Sequence, residues 1–148
     1  MNSRKRGDDM AESLGQTACM SSSDALTQGI RVRVRCHYLA QQSQPEQGRW
    51  LFAYTIRISN EGEHPAQLLS RHWIIEDAEG HIEEVEGPGV VGCQPKLAPG
   101  ESFEYTSYCP LPTPTGRMRG SYEMVTEDLL HFDAEVAEFR LDAEFDYN

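Results

Sequence analysis

The sequence predicts an all-β protein, an antiparallel β-sandwich of seven to eight short strands. Three observations carry this reading. Apolar and polar residues alternate in several segments. Clusters of Gly, Pro, Asn and Asp punctuate those segments. No segment gives a convincing amphipathic helix; the longest candidate, around Thr126 to Leu130, is about one turn and reads better as a hairpin connection. Short strands with frequent turns in ~120 residues suit a sandwich, with closure into a small barrel as the rival.

The first clear strand is Ile30 to Tyr38. Ile30, Val32, Val34, Cys36 and Tyr38 alternate with Arg31, Arg33, Arg35 and His37, which gives one buried and one wet face. A polar break follows, Gln41 to Gly48, with Pro45 and Gly48 as turn residues. The next strand, from about Trp50 to Ser59, carries Trp50, Phe52, Tyr54, Ile56 and Ile58 on one face. The two form a long hairpin. Asn60-Glu61-Gly62 and Pro65 mark another turn, followed by apolar stretches at Gln67–Leu69 and Trp73–Ile75. Glu79-Gly80 is a tight-turn signal, and His81 to Val85 reads as the returning strand. Gly87 to Gly100 holds four glycines and three prolines and reads as loop. Glu101 to Cys109 is strand-like. The Pro110, Pro112, Pro114 and Gly116 stretch cannot be helix. Met118 to Thr126 and His131 to Leu141 complete the set.

A chain of 148 residues suffices for one domain. Thirteen Lys and Arg against 24 Asp and Glu give a net charge of −11. That balance excludes a bulk basic footprint for nucleic acid and argues against adhesion to anionic membranes. No apolar run approaches the length of a membrane span. Residues 1–23 combine Arg4, Lys5 and Arg6 with Asp8, Asp9 and Glu12 and lack an apolar signal-peptide core, so they read as a disordered tail. The domain then spans 24–141, with an acidic extension at 142–148. Cys19, Cys36, Cys93 and Cys109 form no CxxC pair. Free thiols in a reducing cytoplasm are expected. Strand parity places Cys36 and Cys109 in the core.

Several dense segments resemble the ApaG family: QLLSRHWIIEDAEG (67–80), VEGPGVVGCQPKLAPGESFEYTSYCPL (85–111) and TPTGRMRGSYEM (113–124). FAYTIRISNEG (52–62) and FDAEVAEFRL (132–141) extend the likeness, which covers about Ala25 to Leu141. The resemblance implies an immunoglobulin/fibronectin type III-like antiparallel β-sandwich. It also implies a family-level association with cobalt tolerance and magnesium efflux. The same module in eukaryotic F-box and polymerase-interacting proteins implies protein binding. Two departures stand near the end. Family members usually carry a Gly before the aromatic aligned with Phe132, where this chain has Asp128-Leu129-Leu130-His131, and an Ile-Pro pair where it has Val136-Ala137.

Gly87-Pro88-Gly89-Val90-Val91-Gly92 matches GxGxxG, the pattern of dinucleotide-binding turns. Pro95 and Pro99-Gly100 follow too soon for a crossover helix, so the expected role is a shaped loop. An anion-binding nest of amides is the intermediate reading. The Arg31, Arg33, Arg35 stripe fits either a solvated face paired with acids or a phosphate or acidic partner. The acidic groups Glu76–Glu86 and Glu127–Asp146 read mainly as solubilising surface, with Mg²⁺, Ca²⁺ or Co²⁺ binding as the sharper option; no metal ligand set is assigned. No nucleophile elbow or two-histidine metal motif occurs.

The expectation is a non-enzymatic module without cofactor that binds an unidentified protein partner, with homodimerisation through sheet edges possible. The expected recognition surface is Gly87, Gly89 and Gly92 with His72 and Trp73. The alternative is a small-anion (pyrophosphate or nucleotide) or divalent-cation binder in metal homeostasis.

Overall fold

The computed structural model describes residues 20–143. Among the described residues there are nine strands: β1 (Met20–Thr27), β2 (Ile30–Tyr38), β3 (Trp50–Asn60), β4 (Ala66–Asp77), β5 (Ile82–Pro88), β6 (Lys96–Leu97), β7 (Ser102–Leu111), β8 (Thr115–Thr126) and β9 (His131–Asp142). They build two antiparallel sheets. One has the order β1-β2-β3-β7 and the other β5-β4-β8-β9, with β6 also paired to β4. Between β2 and β3 lie two short 3-10 turns, Ala40–Gln42 and Pro45–Gln47. No helix among the described residues is long and apolar enough to cross a membrane.

The alternation seen in the sequence is the packing rule of the core. On β2 Ile30, Val32, Val34, Cys36 and Tyr38 are buried; on β3 the facing Phe52, Tyr54, Ile56 and Ile58 are buried. They meet Leu68 and Trp73 of β4, Tyr122 and Met124 of β8, and Val136 and Phe139 of β9 across the interlayer space. Trp73 packs edge-on to Tyr54, Tyr122 and Phe139 at centroid distances of 5.6, 6.1 and 6.2 Å. Burying such rings is the main stabilising term of the fold.

Three expectations are corrected. The strand count exceeds eight, because β1 and the two-residue β6 add to the hairpins. β1 opens at Met20, so residues 20–23 pair with β2 instead of belonging to the tail; residues 1–19 and 144–148, with the rest of the tail, Cys19 and most of the acidic extension, lie outside the described residues. The segment 87–100 is not all loop: β5 runs on through Gly87 and Pro88, and Lys96-Leu97 pairs with Gln67-Ala66.

The two sides of the sandwich differ. On one, β1 lies against β9, where the Ser21 hydroxyl donates to the Arg140 carbonyl. There the Glu135 N–H also donates to Thr27 Oγ1 at 3.1 Å. These bonds run through side chains and no β1–β9 ladder joins the sheets, so the architecture is a sandwich and not a barrel. On the other side, β5 and β7 are terminal strands, each laddered to one neighbour only.

Candidate functional site: strand edges, the glycine turn and the arginine dish

The glycine turn is a structural device. Gly87 sits opposite Arg71 on β4, and a Cβ there would meet the guanidinium at 3.0 Å. Arg71 Nη1 donates to the carbonyls of Pro88 and Gly89 at 2.9 and 3.0 Å. Gly89 has φ +61°, and a side chain on it would collide with the Cys93 carbonyl. Val90 and Cys93 exchange two main-chain bonds of 2.8 Å around Val91 and Gly92. Those central residues have φ 43° and 80°, as in a type I′ hairpin turn. Three of the turn's amides are engaged internally: Gly89 N–H donates to Leu69 C=O, and Val90 and Cys93 each donate to the other's carbonyl. These three amides of the intermediate nest reading are taken up within the turn.

The pairing of His72 with Trp73 on one recognition surface is also corrected. Adjacent strand residues face opposite sides of a sheet. Trp73 is 3% exposed in the core, whereas His72 points outward, its Nε2 2.9 Å from Glu84 Oε1 and 3.7 Å from Glu86 Oε2. A register shift between Leu68 and Ser70 in the β4–β8 ladder reverses the inward parity of β4: Ala66 and Leu68 face in before it, Trp73 after it.

The arginine stripe lies on the outer face of the other sheet. Arg31 is pinned by Asp24 at 2.9 Å and Glu61 at 2.8 Å. Arg33 reaches Asp24 at 3.3 Å, while Arg35 and Arg57 share Glu104 at 3.8 and 3.5 Å. Arg33 stands directly opposite Arg57 in the β2–β3 register. Arg33, Arg35 and Arg57 thus rim a shallow dish of about 490 Å³ floored by Ser22 and Thr55. Binding of Arg31 and then Arg33 holds the Asp24 carboxyl below its ordinary range. The arginine stripe lies on the other sheet from His72 and the glycine turn, so the three form no common site.

Cys36 and Cys109 are buried, as their strand parity predicts, and Cys93 is exposed. Burial pushes both inner thiols up to about 12. Beside them Tyr105 and Tyr122 share a buried hydroxyl–hydroxyl bond of 2.5 Å; burial, foremost, raises both phenols. None of these groups is poised as a nucleophile at neutral pH. No group of three or more His, Cys, Asp or Glu side chains placed to hold a metal occurs among the described residues.

What the sequence did not reveal is the state of the two free edges. In the β3–β7 ladder the Asn60 N–H donates to Glu101 C=O at 2.9 Å. Main-chain groups alternate sides along a strand, so even residues of β3 bond β7 and odd ones bond β2. The bonds from Leu39 N–H to Leu51 C=O and from Glu61 N–H to Gly29 C=O agree with that phase. Through the register, Phe103, Tyr105, Ser107 and Cys109 face β3, and Glu104, Thr106 and Tyr108 turn N–H and C=O outward. Pro110 falls on the outward phase, where its missing N–H breaks no bond. The same reasoning for β5 starts from the Gly89–Leu69 and Asp77–His81 bonds. It turns Ile82, Glu84, Glu86 and Pro88 outward. Two carboxylates and a proline guard the β5 edge; from Ser102 to Cys109 the β7 edge carries one charge, no lysine, no proline and no register shift.

A model of the ApaG domain matches residues 40–126. The chain is 57% identical over 112 residues to Protein ApaG of Bordetella pertussis, spanning 76% of this chain and 86% of that protein. It is 58% identical over 119 residues to Protein ApaG of Anaeromyxobacter dehalogenans, spanning 80% and 94%. The crystal structure of a Bordetella pertussis protein described as ApaA superposes with a TM-score of 0.76 at 54% identity, covering 80% of this chain and 96% of the other. A second X-ray structure, a structural-genomics target, gives 0.73 at 50% identity, covering 77% and 86%. With the family model matched over more than half its length and close relatives covered almost end to end, this chain belongs to the ApaG family.

Proposed function

We propose that the protein is a non-enzymatic binding module that recognises a protein partner by strand addition at the outer edge of β7. The observation that carries this reading is the stretch Ser102–Cys109 of that edge, which holds no proline, lysine or register shift. Glu104, Thr106 and Tyr108 present free main-chain donors and acceptors on a regular strand. Tyr108 is 59% exposed beside them. An added strand gains affinity from main-chain bonds and specificity from alternate side chains. The family's link to cobalt tolerance and magnesium efflux fits a protein that acts by docking onto another protein, because such a role needs no ion-binding site of its own.

Replacing Thr106 by proline removes one outward N–H and no main-chain ladder bond, together with the exposed 2.8 Å hydroxyl bond to Thr55. Affinity capture with wild-type and Thr106→Pro baits, each checked by circular dichroism, tests the reading. The expected result is a protein retained by the wild type and lost on the variant. Equal retention on both overturns it.

A second reading, small-anion binding, draws on the Arg33–Arg57 opposition, since like charges directly across a ladder repel unless a shared anion lies between them. Titration calorimetry with pyrophosphate distinguishes it: binding that disappears in Arg57→Ala supports the dish as an anion site, and no heat at millimolar ligand removes it.

A further inference from the structure

At the end of the free β7 edge the gap between the sheets opens into a slot of about 310 Å³. Its walls are largely apolar: Ile75 and Ile82 from the β4–β5 hairpin, and Pro110, Leu111 and Pro112 at the end of β7, with the exposed His81 also lining it. Two carboxylates reach it, and they are not equivalent. Asp77 is spent on its own turn, accepting from the N–H groups of Glu79 and His81 at 2.8 and 3.0 Å and meeting the His81 ring at 3.3 Å. Glu83 has no hydrogen bond or ion pair among the described residues, and it stands opposite Ile75 in the ladder. Glu83 itself lines the slot.

From this we propose that the slot is a side-chain pocket for a lysine or arginine carried by the segment that adds to β7. The inference rests on the strand-addition reading of the β7 edge. In an added antiparallel strand, the residue facing Cys109 forms a non-hydrogen-bonded pair, the kind in which side chains approach most closely. It projects to the inner side, beside Leu111, into the slot mouth. A long aliphatic stem suits the Ile75, Ile82 and Leu111 walls, and a cationic tip suits the one unpaired carboxylate. A neutral apolar side chain would leave Glu83 partly desolvated without a partner, and an acidic one would meet two carboxylates and a chain of net charge −11. The same charge argues against a second copy of the chain, whose β5 edge on β7 would bring Glu84 and Glu86 against Glu104.

Selection of linear peptides from a random display library, run in parallel on the wild-type chain and on Thr106→Pro, tests this. The expected wild-type binders alternate apolar and polar residues and carry Lys or Arg at one fixed position. A synthetic peptide of the enriched sequence is expected to bind about tenfold more weakly to Glu83→Gln, to weaken similarly when its cation is replaced by methionine, and to lose binding to Thr106→Pro. Enriched binders lost on Thr106→Pro but lacking a fixed cation, or indifferent to Glu83→Gln, overturn the pocket and leave strand addition standing. Binders equally enriched on Thr106→Pro, or none on either protein, overturn both. Sedimentation of a wild-type dimer that Thr106→Pro dissolves shows a second copy on the edge and likewise overturns the cationic segment.

Discussion

Single side chains divide into those that hold the interlayer space and those that face water. The Tyr105–Tyr122 bond belongs to the first group: two hydroxyls, from β7 and β8, satisfy each other inside an aromatic cluster. Tyr105→Phe leaves the Tyr122 hydroxyl without its partner, and the expected cost is about 1–3 kcal/mol in urea unfolding. Replacing both tyrosines by phenylalanine removes donor and acceptor together and is expected to cost less than the sum of the single changes; additive losses would contradict the pairing. The cysteines give a second residue-scale outcome. Burial holds the Cys36 and Cys109 thiols protonated to about 12, whereas Cys93 is exposed in the turn. Brief alkylation of the native protein followed by peptide mass spectrometry is expected to label Cys93 and spare Cys36 and Cys109, which become labelled in urea. Labelling of Cys109 in the native protein would show that the β5–β7 side opens.

At the scale of the strand, the phase of the β7 edge is directly testable by two neighbouring prolines. Thr106→Pro removes an outward N–H, while Ser107→Pro removes a bond to Tyr54 of β3. The expected costs are about 1 kcal/mol or less for the first and about 3 kcal/mol or more for the second. Equal melting temperatures for the two variants would mean that the assigned phase is wrong. Phase also explains how far the elements could be read from residues alone. β2 alternates from Ile30 to Tyr38, and β3 keeps Phe52, Tyr54, Ile56 and Ile58 inward, so their inward faces were plain. β4 and β9 each carry a register shift that reverses parity. In β4 the reversal sends Trp73 inward and away from His72. In β9 it falls between Val136 and Phe139, around the Val136-Ala137 pair that departs from the usual family pattern. The β8–β9 turn differs too: Leu129 takes φ 63°, the left-handed conformation that a glycine adopts without strain. The candidate site was less legible still. Nothing in SFEYTSYC says that β7 is a terminal strand, because edge status depends on which strands never pair with it.

For the whole molecule, the buried weak acids set how stability responds to alkali. In the unfolded chain Cys36 and Cys109 ionise near their ordinary value of 9.0, whereas in the fold burial holds them protonated to about 12. Tyr54, Tyr105 and Tyr122 are shifted in the same direction, chiefly by burial. Above pH 9 the unfolded chain therefore binds fewer protons than the folded one, and stability must fall as pH rises. The contribution is fully present below about pH 9 and is lost between about 9 and 12. Each thiol contributes at most about 1.4 kcal/mol per pH unit in that window, so two give a slope on the order of 2–3 kcal/mol per unit. The acid side runs the other way. Asp24 is held low first by its hydrogen bond from Arg31, and Glu123 first by its bond to His131. In Asp77, desolvation is outweighed by the main-chain N–H groups of His81 and Glu79. These carboxylates stabilise the fold above their ordinary range, and that stabilisation fades as pH drops through it. They are solvent-facing or turn groups, so the alkaline limb is expected to be the steeper. Urea midpoints measured from pH 5 to 11 should form a plateau that breaks near pH 9. A midpoint unchanged between pH 9 and 11 would mean that water reaches Cys36 and Cys109 in the folded state, and that the two sheets do not seal the space between them.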